Sequence, residues 1–181
     1  AVINATGIFV DDLMQMDAPE KDKIVRPSQG VHLVVDKSFM GGTSALMIPK
    51  TSDGRVLFGV PWHDKLVLGT TDTPLKEFIL EPRALEEEID FILKTAGQYL
   101  KKQPTRKDVL SVFAGLRPLA APKANADGTK TKEISRSHKI VISESGLLTI
   151  TGGKWTTYRD MAEDVVNKAE QVAGFARKEC K

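Results

Sequence analysis

Between Val31 and Gly69 the chain carries short apolar runs: Val31-His32-Leu33-Val34-Val35, Ala45-Leu46-Met47-Ile48-Pro49, Val56-Leu57-Phe58-Gly59-Val60-Pro61 and Leu66-Val67-Leu68-Gly69. Gly41-Gly42, Ser52-Asp53-Gly54 and His63-Asp64-Lys65 cut them apart. Runs this short, rich in β-branched residues and bounded by turn formers, read as strands, and connections this short fold successive strands back on one another. An antiparallel meander is expected, with Asp53-Gly54 as its strongest hairpin signal.

After Pro82 the period changes. Leu85, Ile89, Ile92, Leu93, Ala96 and Leu100 recur at helical spacing, Glu86-Glu87-Glu88 stand early and Lys101-Lys102 late, and Pro104 ends the run. Pro82 therefore reads as opening a helix whose charges complement its dipole. Val109 to Phe113 reads as a strand leading into Ala114-Gly115-Leu116-Arg117-Pro118, which puts Arg117 at a strand end. A polar loop from Lys123 to Lys132 and short strands at Lys139 to Ile142 and Leu147 to Ile150 follow. Thr151-Gly152-Gly153-Lys154 then enters a second amphipathic helix with Met161, Val165, Val166, Ala169 and Val172 on one face. The order of elements predicts an α+β fold, with helices packed on a largely antiparallel sheet. At the front, Val2-Ile3 running into Asn4-Ala5-Thr6-Gly7 reads as the end of a buried strand meeting a glycine turn. That opening leads us to expect a piece of something larger.

Composition narrows the function classes. With 181 residues, 41% hydrophobic and 28% charged, the chain can bury a core of one domain, or of one domain and part of another. No run approaches the roughly 18 to 20 apolar residues of a membrane span, and AVINATGIFVDD has no signal-peptide pattern. Lys and Arg exceed Asp and Glu by only 26 to 24, too little for a field that would gather nucleic acid, so anion binding has to be local. The single Cys180 excludes an internal disulfide and a Cys-based zinc site, suits a reducing compartment, and reads as a free thiol on a tail.

Leu147 to Arg159, LLTITGGKWTTYR, is the most informative local pattern. A strand, two glycines and a helix start offer unpaired backbone N–H groups to an electron-rich ligand, although a tight turn with Thr156 as the helix cap explains the same residues. Arg117, held between Gly115 and Pro118, can fork onto a phosphate or carboxylate, or make a surface ion pair. Arg136, in Ser135-Arg136-Ser137-His138, and Arg26 are further cations beside strand edges. His32 follows Gly30 in a β-run, where an imidazole can take a proton from an alcohol near neutral pH or serve as a hydrogen-bonded structural residue. Gly69-Thr70-Thr71-Asp72 ends a strand as a turn or as a ligand wall. His63 and His138 lack partners at metal-ligand spacing, so no metal site is expected, and no GxGxxG occurs.

Taken together, VINATGIFVD, RPSQGVHLVV, LVLGTTDTPL, the Pro82 helix, FAGLRPL, ISRSHKI and TGGKWTTYRDMAED occur in the order found in FAD-dependent glycerol-3-phosphate dehydrogenases, and the chain resembles that family over about residues 1 to 172. The resemblance implies a flavoprotein of the D-amino-acid oxidase type that oxidises sn-glycerol 3-phosphate to dihydroxyacetone phosphate and passes electrons through FAD to membrane quinone. It implies peripheral attachment on the cytoplasmic side of the cell membrane, allows a homodimer of the complete enzyme, and suggests that the native protein continues beyond Lys181. By residue, it places His32 near the reacting hydroxyl as base or positioning group, and Arg117, Arg136 and Lys154 around the substrate phosphate. It places Ala5, Thr6 and Gly7 along the FAD, Thr70 and Thr71 near the flavin ring, and Gly152, Gly153, Lys154, Trp155, Thr156 and Thr157 at its pyrimidine edge. The implied partition is an end-piece of the FAD domain at 1–23, a substrate domain at 24–145, a flavin-contacting strand and helix at 146–173, and a tail at 174–181. Ile8-Phe9 stands where the family often has Pro-Trp, and Gln29 where Lys is common. The GxGxxG half is absent, so the chain alone is expected to bind FAD poorly and not to turn over. The competing readings are a related amine or amino-acid oxidase, with Arg117 holding a carboxylate, and a non-catalytic anion-binding domain.

Overall fold

The computed structural model describes residues 1–52, 54–77, 79–120 and 137–179. In chain order its main elements are β1 (Val2–Asn4), α1 (Val10–Asp17), β2 (Val25–Asp36), β3 (Leu46–Ile48), β4 (Leu57–Trp62), β5 (Lys65–Gly69), β6 (Thr73–Pro74), α2 (Glu86–Gly97), β7 (Ser111–Ala120), β8 (His138–Ile142), β9 (Leu147–Gly152) and α3 (Tyr158–Ala173). They fall into two units, residues 28–116 and residues 1–27 with 117–181. The expected α+β class is what forms.

In the unit 28–116, β3, β4 and β5 make the expected antiparallel meander. The first apolar run does not join it next to β3. It becomes the long strand β2 and pairs with β5, Leu33 opposite Leu68. The reason lies in residues 37–45, which open with a 3-10 turn at Lys37–Phe39 and carry the chain to the far edge instead of reversing it. The tightest reversal is His63-Asp64, where Trp62 pairs with Lys65 and His63 adopts φ 54°. The Ser52-Asp53-Gly54 loop is wider: the Thr51 N–H bonds the Arg55 carbonyl and the Gly54 N–H bonds that of Thr51, both at 2.9 Å. Asp53 itself lies outside the described residues.

Strand alternation sorts the side chains. Val31, Leu33 and Val35 of β2, Leu57 of β4 and Leu66 and Leu68 of β5 are buried with Phe39, Ile48 and with Ile92, Leu93 and Ala96 of α2. The alternate residues His32 and Val34 are half-buried, and Phe58, Val60 and Trp62 are exposed, on the opposite face of the sheet.

Where β2 meets β5 and then β6 the register slips by one. His32 lies opposite Gly69 but Gln29 opposite Thr73, so residues 70–72 face only Gly30 and Val31. This is a β-bulge, a feature that re-aims neighbouring side chains.

The helix starts later than the sequence suggests. Leu85 is extended, α2 begins at Glu86, and the Glu88 carboxylate accepts the Leu85 N–H at 2.9 Å, closing the first turn. Pro82 stands in the preceding irregular segment. Strand β7 is longer than expected, which places Arg117 inside it and not at its end. Among the described residues β7 has β2 as its neighbour, and Pro118, lacking an N–H, is tolerated on such an edge.

In the other unit β1 runs parallel to β9, Ile3 opposite Leu148, and β8 antiparallel to it, Ile140 opposite Ile150. Val10 and Met14 of α1, Leu148 and Ile150 of β9, and Val165 and Ala169 of α3 are buried. Val2-Ile3 is a strand as expected, yet Val2 is 67% and Ile3 38% exposed; Asn4, at 1%, is the buried residue. Val2 is mostly open to solvent and Ile3 partly so, whereas the Asn4 amide finds partners inside. Of the expected α3 face, Val166 and Val172 stay nearly half exposed. α3 ends at Gly174, whose φ of 69° suits glycine, and residues 175–179 are not helical. The expected loop at 123–132 lies outside the described residues. No helix among the described residues is long and apolar enough to cross a membrane.

Candidate active site

His32, Thr70 and Thr71 belong to the unit 28–116. The His32 ring lies against its strand neighbours. Its cross-strand neighbour is Gly69, and a Cβ at that position would stand 2.8 Å from His32 Cγ and 2.9 Å from Nε2. On the ring's aromatic side lies Phe113, stacked at 5.0 Å between centroids and 9° from parallel. An imidazole so clamped keeps one orientation, which a group that takes or orients a hydroxyl proton requires. Thr70 opens the bulge, its hydroxyl donating to the Thr71 carbonyl at 3.2 Å.

Behind the bulge is a buried carboxylate. Glu88 is 3% exposed and accepts four hydrogen bonds: Thr71 Oγ1 at 2.8 Å, Thr73 Oγ1 at 2.5 Å, Gln29 Nε2 at 2.7 Å and the Leu85 N–H. Burial is the largest single influence on this acid and pushes it up, but the bonds from Leu85, Thr73, Thr71 and Gln29 together outweigh it and hold it below the usual carboxylate value. Gln29 also donates to the Arg83 carbonyl at 3.0 Å and is itself buried, so the position where Lys is common in the resembled family belongs to an interior network. Sequence reasoning missed Glu88 because it sits in a run of three glutamates. The available signal was its place at the third helical position, where an acid bonds the cap N–H, but Leu85 is not a capping residue type.

In the other unit Asn4 organises the first glycine turn. Its Nδ2 donates to the Val10 carbonyl at 2.9 Å and to Thr149 Oγ1 at 3.3 Å, and its Oδ1 accepts the Thr6 hydroxyl at 2.7 Å. Gly7 has φ 63° and nothing within 4 Å of a Cβ, so conformation and not crowding calls for glycine there, and the space beside it is open. Ala5 and Thr6 are exposed.

Gly152 and Gly153 have φ 79° and 77°. A Cβ on Gly152 would stand 2.8 Å from the Ser137 carbonyl, and one on Gly153 would press into Met161, 2.8 Å from its Cε. The turn's own packing calls for glycine at both positions. Thr157, and not Thr156, stands at the cap position of α3, but its hydroxyl closes the preceding 3-10 turn, accepting the Lys154 N–H at 3.3 Å and donating to the Lys154 carbonyl at 3.1 Å. Lys154, Trp155 and Thr156 are exposed, Trp155 stacking on Tyr158 at 5.7 Å. The Thr151 hydroxyl, just before the glycines, is buried with no hydrogen-bond partner among the described residues. Arg117 is half-buried, with Nη1 buried. Arg136 lies outside the described residues. His138 does have a carboxylate partner, Asp164, at 2.7 Å. Among the described residues no group of three or more His, Cys, Asp or Glu could hold a metal ion.

Comparison with known proteins gives these arrangements a context. The family described as FAD dependent oxidoreductase matches residues 1–159. The mitochondrial glycerol-3-phosphate dehydrogenase of Bos taurus is 48% identical over 170 residues, 93% of this chain and 23% of that protein. That of Homo sapiens is 47% identical over 170 residues, with the same two shares, 93% and 23%. The chain thus spans about a quarter of the length of the curated relatives it matches. Among solved structures, the glycerol-3-phosphate dehydrogenase from Bacillus halodurans complexed with FAD is similar at a TM-score of 0.82 and 37% identity, over 99% of this chain and 33% of that one.

Proposed function

This chain belongs to the FAD-dependent oxidoreductase family, and on that premise we propose that the complete protein oxidises sn-glycerol 3-phosphate to dihydroxyacetone phosphate. The observation that carries the reading is the 37% identity and 0.82 TM-score over 99% of the chain to an FAD-complexed enzyme of that name, beside relatives so named at 47% and 48%. The proposal is for the complete protein. No GxGxxG stands in these 181 residues, and the chain by itself is expected to bind FAD weakly and not to turn over.

What supports a flavin is the exposed run Lys154 to Thr156 just before α3, the buried hydroxyl of Thr151, which has no hydrogen-bond partner among the described residues, and the open side of Gly7. Ala5, Thr6, Gly7, Thr70, Thr71 and Gly152 to Thr157 are the residues proposed to hold it. When bound, FAD supplies the two-electron oxidation. Arg117, Arg136 and Lys154 are proposed to hold the phosphate, whose near-double negative charge suits several cations better than a carboxylate would. His32 is proposed to take or to orient the proton of the substrate's C2 hydroxyl, a task for which a ring fixed by Gly69 and Phe113 is prepared. The backbone at Lys154 to Thr157, leading into α3, would offer partial positive charge to the electron-rich edge of the ring.

The same proposal includes a membrane quinone as acceptor, a homodimer of the complete enzyme, and peripheral attachment on the cytoplasmic side of the cell membrane. It also includes the partition into flavin-contacting pieces, 1–23 and 146–173, around a substrate region, 24–145, with a tail at 174–181. The relatives quoted are called mitochondrial, so fractionation decides which membrane. Arg117→Ala and Lys154→Ala in the complete protein test the phosphate role. Each is expected to lower kcat/KM for glycerol 3-phosphate about 10- to 100-fold, the scale of one lost charge-assisted bond. Unchanged kcat/KM in both opposes it.

A further inference from the structure

We infer that Glu88 is a positioning residue for His32, acting through Thr71 and the backbone of Val31; the inference rests on the proposed place of His32 beside the reacting hydroxyl.

At the bulge three residues of one strand face two of the other, so the regular ladder cannot serve every backbone group there. The Val31 N–H is served by a side chain instead: it donates to Thr71 Oγ1 at 3.0 Å. That hydroxyl in turn donates to Glu88 Oε1 at 2.8 Å. A hydroxyl that donates to a carboxylate is the stronger acceptor for it, so the two bonds reinforce one another. Gln29 and Thr73 lie opposite each other across the ladder, and both donate to the same carboxylate. Glu88 therefore grips both strands at the bulge. The peptide it fixes leads directly into His32, and the strand segment it fixes begins beside Gly69, on which the His32 ring lies.

Capping α2 needs only the bond from the Leu85 N–H. The three further bonds to β2, β6 and the bulge exceed that task. All four partners are donors, and only a group that accepts at both oxygens satisfies them together. An amide of the same shape keeps the bonds from Leu85 and Gln29 at its oxygen but turns an NH2 toward Thr71 and Thr73. Thr71 then loses its acceptor, and the bond it takes from the Val31 N–H is weakened.

The test uses the complete, flavin-loaded protein with Glu88→Gln, and Thr73→Val as a control that leaves the Thr71–Val31 link intact. Glu88→Gln is expected to lower kcat for glycerol 3-phosphate about 10- to 100-fold, the scale for a catalytic group displaced by about an ångström. KM should stay within about threefold, because the proposed phosphate cations are elsewhere in the sequence, and amide exchange at Val31 should accelerate at least tenfold. Thr73→Val should keep kcat within about threefold. If Glu88→Gln fails to fold, Glu88→Asp, whose shorter side chain draws the carboxylate away from Thr71, should show the same kcat loss and fast Val31 exchange. Wild-type kcat and wild-type Val31 protection in Glu88→Gln, with only a lower Tm, would overturn the inference and leave Glu88 a helix cap. A wild-type protein that glycerol 3-phosphate does not reduce counts against the proposed function, and the Val31 exchange then decides the positioning claim alone.

Discussion

Gly69→Ala probes the seat of His32 with one methyl group. Gly69 and His32 are a cross-strand pair, and the added Cβ would stand 2.8 Å from Cγ and 2.9 Å from Nε2 of the ring, with Cδ2 closer still. Ordinary contact begins near 3.4 Å, so the ring has to shift or swing. It is also stacked on Phe113 at 5.0 Å, a contact that a moved ring disturbs. A shift of about 1 Å at a catalytic group costs on the order of 100-fold in rate, and overpacking of this kind costs about 1–3 kcal/mol of stability. Steady-state kinetics on the complete enzyme should therefore show kcat down by about two orders of magnitude, with a far smaller change in KM. His32→Ala, measured alongside, sets the floor. Gly69→Ala with full kcat, beside a crippled His32→Ala, would refute the claim that this glycine fixes the ring.

Three further outcomes follow from the same geometry. Because Glu88 is held below its ordinary value of 4.5, it stabilises the fold fully above that pH and loses the contribution as pH falls through the lower folded value. The stability gap between wild type and Glu88→Gln, measured by urea unfolding, should thus be wide at pH 7 and close toward pH 3. Gly152→Ala should lower Tm more than Gly153→Ala. Both incur the positive-φ cost of about 1–2 kcal/mol, but the first meets the Ser137 carbonyl and the second a movable Met161 side chain. Asn4→Ala removes the bonds to the Val10 carbonyl, the Thr149 hydroxyl and the Thr6 hydroxyl and should cost about 1–3 kcal/mol in denaturant titration, where Asn4→Ala without loss would remove the anchor role given to this amide.

Local pattern carried the strands β3, β4 and β5 and both long helices, because alternation and the 3.6-residue period record which face is buried. What it missed depends on partners distant in sequence. Ser28-Gln29-Gly30 looks like turn material, yet it is buried strand, since Gln29 reaches Glu88 and Ser28 bonds Asp72. Gly115 and Pro118 look like breakers, yet an edge strand tolerates both, so β7 runs on and carries Arg117 inside it. Of the candidate site, His32 was legible as a residue, but its seat was not: Gly69 and Phe113 meet it only through strand pairing. Gly152-Gly153 was legible as a turn, whereas the reason for two glycines, the Ser137 carbonyl and Met161, needed the fold. Arg136, singled out in sequence, lies outside the described residues.

The central claim, that the complete protein is a flavin enzyme reading a phosphorylated alcohol, is tested most directly by anaerobic bleaching of its flavin absorbance. The titrants are glycerol 3-phosphate, glycerol and sarcosine in parallel. Bleaching by glycerol 3-phosphate alone is the predicted result. Bleaching by sarcosine, or a complete protein that carries no flavin, would contradict it.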